Sequence, residues 1–242
     1  MGDIVYSLKN VVKHRIIENA GFRLCIPSIE IQAGENIALV GHSGCGKSTL
    51  MDMFALILRP DETDQFEISP VGDKSHKVDM LWQRNKLDSL AQVRRHHIGY
   101  VLQSGGLLPY LTVRENIELP RKLLKLADDD SIISISRVLG IHRQLDKLPG
   151  LLSAGERQRA AFARALSHRP SILLADEPTA ALDPISARKI MAVVMELIKG
   201  LKITLITASH DWAHVYRMEL RILDQKAGPV EGGRIYQSTF RD

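Results

Sequence analysis

At 242 residues, with 45% hydrophobic and 25% charged side chains, the chain can hold one large α/β domain or a core with an inserted lobe. A net charge of +4 permits an acidic partner or an anionic surface, but no basic block with interleaved aromatics is present, so nucleic acid is not expected as a partner. Two cysteines, Cys25 and Cys45, are too few for a disulfide framework or a zinc site, which favours a reducing compartment. No stretch approaches the ~20 apolar residues of a bilayer span, and Asp3 and Lys9 break the opening apolar run. A cytoplasmic protein without a signal peptide is expected.

In chain order, residues 4–8 and 22–26 alternate like strands, with a loop around Glu18, Asn19, Ala20 and Gly21. Ala33-Gly34-Glu35 turns into residues 36–40, an apolar run that reads as a buried strand. Next comes Gly41-His42-Ser43-Gly44-Cys45-Gly46-Lys47-Ser48, followed by Thr49, which fits G-x-x-x-x-G-K-[ST] at every fixed position. Residues 50–58 read as a core helix closed by Pro60. Strand, glycine loop and helix together make a phosphate cradle. The glycines let successive N–H groups converge, the helix start adds its positive dipole end, and Lys47 adds a full charge. Ser48 can ligate Mg²⁺. The chain is expected to bind a nucleoside triphosphate.

Residues 59–75, rich in Asp, Pro and Gly, are expected to close a small antiparallel sheet, and 76–97 reads as a weakly amphipathic helical stretch. Residues 98–102 form the next strand, ended by Gln103. From 104 to about 150 the composition turns helical, with Asp128 to Asp130 suited to a helix start and Gly140 to its end. Ser153-Ala154-Gly155-Glu156 is a capping box ahead of an alanine-rich helix. Residues 171–175 form a strand ending in Asp176-Glu177-Pro178. Asp183-Pro184 is a helix cap followed by proline at the first helical position, and Gly200 is expected to end that helix. Residues 203–207 form a last strand before Ser209-His210-Asp211. The phosphate loop, Gln103, Asp176-Glu177 and His210 all fall just after strands, which in an open parallel sheet is the ligand edge.

In this order the motifs of residues 41–210 resemble those of ABC-type ATPases, the nucleotide-binding subunits of ABC transporters. Residues 98–103, Leu107-Leu108-Pro109 and Thr112-Val113-Arg114-Glu115-Asn116 further resemble the group serving lipoprotein release, macrolide-type efflux and FtsE-like division complexes. The resemblance implies an α/β P-loop NTPase. Its RecA-like parallel sheet core and antiparallel β subdomain would cover about 1–103 and 166–242, with a helical subdomain inserted at about 104–165.

It further implies ATP and Mg²⁺ as cofactors, with Ser48, Gln103 and Asp176 around the metal. Glu177 would be the base that polarises the attacking water, and His210 would contact the γ-phosphate. Ser153, Ala154, Gly155 and Glu156 would reach ATP held by a second copy of the chain, arranged head to tail. Asp183 would lie in the loop crossing that dimer interface. The remaining partner would be an integral membrane permease, with the chain peripheral on the cytoplasmic face of the inner membrane. The work done would be export, lipoprotein release or mechanotransmission, the alternative being a regulatory dimerisation switch without transport.

Two positions depart from the family pattern. Ala154 stands where glycine is more common, which matters if the backbone there needs positive φ or a very close phosphate approach. The segment Val12-Lys13-His14-Arg15 lacks the aromatic residue that usually stacks on adenine, leaving Phe22, His14 and Arg15 as open candidates.

Overall fold

The first two strands run well past the expected segments. The structure, a computed structural model, describes residues 3–17, 20–127, 129–210, 220–230 and 235–242. Strand β1 (Ile4–Ile17) pairs antiparallel with β2 (Ala20–Gln32) along its whole length, from Ile4 opposite Gln32 to Ile17 opposite Ala20. The expected loop therefore shrinks: Ala20 and Gly21 belong to β2, while Glu18 and Asn19 lie outside the described residues. Continuous cross-strand pairing, rather than local propensity, sets this length.

Strand β3 (Asn36–Val40) leads to α1 (Lys47–Phe54). This helix opens at Lys47, the expected dipole end, and stops short of Leu58. Fully buried Leu56 takes φ 56°, and the Ile57 and Leu58 N–H groups turn back to the Asp52 carbonyl. Strands β4 (Gln65–Ile68) and β5 (His76–Lys77) extend the antiparallel sheet as expected. The weakly patterned 76–97 stretch holds two helices, α2 (Val78–Gln83) and α3 (Leu87–His97). In α3, buried Leu90 and Val93 supply the anchor that the charge-rich pattern obscured, and Arg94, Arg95, His96 and His97 suit the negative end of its dipole.

The chain continues through β6 (Ile98–Val101), α4 (Val113–Leu123), α5 (Ser131–Val138), α6 (Ala154–Leu166), β7 (Ile172–Asp176), α7 (Pro184–Leu201) and β8 (Thr204–Ser209). It closes with β9 (Arg221–Ile222), β10 (Asp224–Val230) and β11 (Ile235–Arg241). At α5 the Asp129 carboxylate accepts from the Ser131 N–H at 2.9 Å and Gly140 takes φ 68° just past the end, while Asp128 lies outside the described residues. Gly200 does not end α7. The apolar stripe Ile190, Val194, Ile198 holds the last turn, and Lys202 takes the left-handed position instead, at φ 54°.

The chain divides into two units, 1–92 with 208–242, and 93–207. Among the described residues, the first unit carries a six-stranded sheet in the order β10-β11-β2-β1-β4-β5, antiparallel except where β11 runs parallel to β2. Its core includes Leu8, Leu24, Phe66 and Phe240, and the buried Tyr6 hydroxyl donates to the Phe54 carbonyl at 2.7 Å. In the same unit β3 runs parallel to β9. In the second unit β6 runs parallel to β7, β8 lies next to β7, and α6 buries Ala160, Ala161, Phe162 and Ala163. The helical block at 104–165 lies within this second unit. Among the described residues no helix is long and apolar enough to cross a membrane.

Candidate functional site

In the first unit β3 feeds the phosphate loop and α1 receives it. Gly44 and Gly46 adopt φ 81° and 94°. At Gly46 a Cβ would also stand 2.8 Å from the Phe22 ring, so glycine alone fits that position. Gly46 is the N-cap of α1 and supplies no side-chain cap, so the first-turn N–H groups open onto the loop, where an anion can take the place of a capping side chain. Lys47 is only 6% exposed, and its ammonium donates to the carbonyls of Gly41 at 2.7 Å and His42 at 3.2 Å. The cation is thereby held at the loop instead of in bulk water. His42, Ser43 and Ser48 face solvent, while Cys45 and Thr49 are buried beneath them. Residues 41–49 thus form one continuous loop and helix start between β3 and the body of α1.

Three residues were open as the partner of the base. The His14 ring pairs with Glu62 at 3.1 Å, and its backbone N–H donates to Asp61 at 2.7 Å. Arg15 is exposed, opposite Phe22 in the β1–β2 pairing. Half-buried Phe22 sends its ring edge to Gly46, beside the cradle. His210 is exposed and directly follows β8, also in the first unit. Asp211, which follows it, lies outside the described residues.

The remaining expected residues belong to the second unit. Strand β7 is buried along its whole length and ends in Asp176, 8% exposed. Glu177 comes next at φ 47°, a left-handed conformation costing a non-glycine residue about 1 kcal/mol. Strain of this kind concentrates at functional sites, where surrounding structure holds it in place. Gln103 is exposed just past the end of β6. Asp183 caps α7: one carboxylate oxygen accepts from the N–H groups of Ile185 and Ser186, both at 3.0 Å. The hydrogen bonds from Ser186 and Ile185 hold its carboxyl below the usual carboxylate range.

Ser153 and Glu156 form the expected capping box at the start of α6. The Ser153 Oγ accepts from the Glu156 N–H at 3.3 Å, and Glu156 Oε2 accepts from the Ser153 N–H at 2.8 Å. Gln144 holds the other Glu156 oxygen at 2.8 Å. Ala154 is the first residue of the helix and has no positive φ, so its methyl group strains nothing in the backbone. A Cβ at Gly155 would meet Leu182 of the Asp183 loop at 4.0 Å, an ordinary contact. The structure thus brings Ser153, Ala154, Gly155 and Glu156 to one helix end, next to the loop that carries Asp183.

A capping box contributes about 1 kcal/mol, so Ser153→Ala should lower the melting temperature by roughly 2–4 °C near neutral pH. The hydrogen bonds from Ser153 hold the Glu156 carboxyl below its ordinary range. A carboxyl depressed on folding stabilises above its unfolded pKa, and that contribution disappears as the pH falls through the folded value. The gap between wild type and variant should therefore narrow below about pH 4. Thermal melts at both pH values check this; an unchanged gap would show that the carboxylate contributes nothing.

The three pieces seen above, an N–H cradle with a buried lysine, an acid pair after a buried strand and an exposed helix start, have counterparts in known proteins. The ABC transporter family pattern matches residues 26–180. The bacitracin export ATP-binding protein BceA of Halalkalibacterium halodurans is 37% identical over 186 residues, covering 76% of this chain and 70% of that protein. The lipoprotein-releasing system ATP-binding protein LolD 2 of Rhodopseudomonas palustris is 34% identical over 206 residues, covering 84% of each. Among solved structures, the dimeric bacterial ABC transporter cassette MJ0796 superposes with a TM-score of 0.76 at 31% identity, covering 90% of this chain and 93% of that one. The same cassette solved in a post-hydrolysis state with ADP and Pi gives a TM-score of 0.74 at 30% identity over the same shares.

Proposed function

This chain belongs to the ABC transporter family as an ATP-binding, ATP-hydrolysing subunit, and we propose that it drives an export-type permease by closing and opening a head-to-tail dimer. The observation that carries this reading is the phosphate cradle, with Lys47 buried and donating to the Gly41 and His42 carbonyls. Residues Gly41, His42, Ser43, Gly44, Cys45, Gly46, Lys47, Ser48 and Thr49 hold the triphosphate. Phe22, already seated at Gly46, gives the adenine ring a face to stack on. Glu177 polarises the attacking water and His210 contacts the γ-phosphate. Ser153, Ala154, Gly155 and Glu156 present the start of α6 to the γ-phosphate held by the second copy, so ATP joins the two subunits and hydrolysis releases them. Asp183 positions the loop that crosses between them.

The Ser48 hydroxyl, the Gln103 amide and the Asp176 carboxylate are hard oxygen donors, the set that suits Mg²⁺. Bound there, Mg²⁺ would neutralise phosphate charge, and these residues would orient its shell. The relatives named for bacitracin export and lipoprotein release support an envelope-directed substrate and a place on the cytoplasmic face of the inner membrane. In the second unit Tyr110 is 73% exposed and Leu102 40%, beside half-buried Leu107 and Leu108, an apolar surface that suits a cytoplasmic helix of the permease. A tagged chain purified from solubilised membranes should retain a multi-span protein, and Tyr110→Asp should lose it while still binding ATP. Wild type recovered with no multi-span partner would count against transport and for a regulatory dimerisation switch.

A further inference from the structure

Two consecutive glycines follow Gln103, and the chain uses both in the left-handed region, Gly105 at φ 76° and Gly106 at φ 61°. The turn opens with the Gly105 N–H donating to the Leu102 carbonyl at 2.8 Å. A Cβ at Gly106 would stand 2.9 Å from the Leu102 side chain and 3.3 Å from an Arg164 nitrogen, so it would crowd both side chains, and the φ itself favours glycine. The turn offers both glycine carbonyls to one guanidinium. Arg164 donates from Nη1 to the Gly106 oxygen at 2.6 Å and from Nη2 to the Gly105 oxygen at 3.2 Å.

Arg164 lies in the last turn of α6, the helix whose first turn carries the Ser153 box. Among the described residues no carboxylate pairs with it. Among the described residues its charge is answered by carbonyl dipoles, and burial pulls its pKa below the ordinary arginine value. A half-buried cation in that position loses its compensation if the loop shifts without it. The planar fork also fixes direction as well as distance, because two parallel donors meet two successive carbonyls. About 16 Å of continuous helix then separates Arg164 from Ser153.

We propose that Arg164 is a positioning residue that locks the Gln103 loop to α6, so that displacement of the loop moves the Ser153 end of the helix with it. The proposal rests on the reading of Gln103 and Ser153 as parts of the ATP site. It makes the segment beside the permease surface and the segment facing the second ATP two ends of one strut.

The test is a cycle of Arg164→Gln, Gln103→Ala and the double variant, with ATP turnover and amide hydrogen exchange measured on the purified chain. Arg164→Gln should lower kcat about tenfold with KM within twofold of wild type. The double variant should be no slower than Gln103→Ala alone, since both act through one loop. Arg164→Lys should recover only part of the rate, because an ammonium cannot span both carbonyls. In wild type, ATP should protect residues 102–108 and 153–158 together. In Arg164→Gln the protection at 153–158 should persist while that at 102–108 is lost, a result that does not depend on turnover. Additive rates, or joint protection retained in Arg164→Gln, would overturn the strut alone. Gln103→Ala with wild-type rate and wild-type exchange would overturn the reading of Gln103, and the strut with it.

Discussion

Glu177→Gln should abolish turnover while leaving ATP binding in place, and the protein should accumulate as a dimer when ATP and Mg²⁺ are added. Glutamine keeps the shape of the side chain and the same backbone requirement at φ 47°, so neither the turn after β7 nor its strain changes. What disappears is the carboxylate proposed to take the proton of the attacking water. General-base contributions run to 10²–10⁴-fold, and a loss of at least about 10²-fold in kcat is expected here. Because the γ-phosphate persists, the contacts joining the two copies persist too, and light scattering should report a stable dimer in the variant and a transient one in wild type. A variant that hydrolyses at the wild-type rate would place the base elsewhere. A variant that is inactive and monomeric in ATP would retain Glu177 as base but remove the sandwich.

Lys47→Ala should raise the dissociation constant for ATP by about 100-fold or more, equivalent to ~3 kcal/mol. The ammonium does two jobs that alanine cannot: it carries the positive charge, and it ties the Gly41 and His42 carbonyls to the first turn of α1. Losing it leaves the cradle both neutral and less ordered. Thermal shift separates this from misfolding, since a ligand that binds only the folded chain raises the melting temperature with concentration. Wild type should show that rise with ATP and Lys47→Ala should not, although both unfold cooperatively without nucleotide. In the same titration Phe22→Ala should weaken ATP by roughly tenfold, within the ~1–3 kcal/mol typical of a base stacked on an aromatic ring. Unchanged affinity in Phe22→Ala would return the adenine contact to His14 or Arg15. Unchanged affinity in Lys47→Ala would remove the loop as the triphosphate seat.

What the sequence by itself determined are the features whose hydrogen bonds close within a few residues. The phosphate loop, the Ser153–Glu156 box and the Asp183-Pro184 helix start each depend on spacings of one to six positions, and spacing is what a sequence displays directly. The α/β class and the family resemblance follow from the order of those local motifs.

Tertiary structure decided whatever depends on distant partners. The 14-residue length of β1 comes from pairing with β2 and not from its own pattern. Gly200 looked like a stop, yet burial of Ile198 carries α7 one residue further and leaves Lys202 to take the left-handed turn. Which of Phe22, His14 and Arg15 lies beside the phosphate loop was closed to the sequence because it turns on which side chain reaches Gly46, 24 positions away from Phe22. Arg164 and Gly106 stand 58 positions apart, and only the Gly105-Gly106 pair hinted that something approached the backbone there. Hydrogen bonds over such separations form because packing presents the partners to each other, and no local spacing records that.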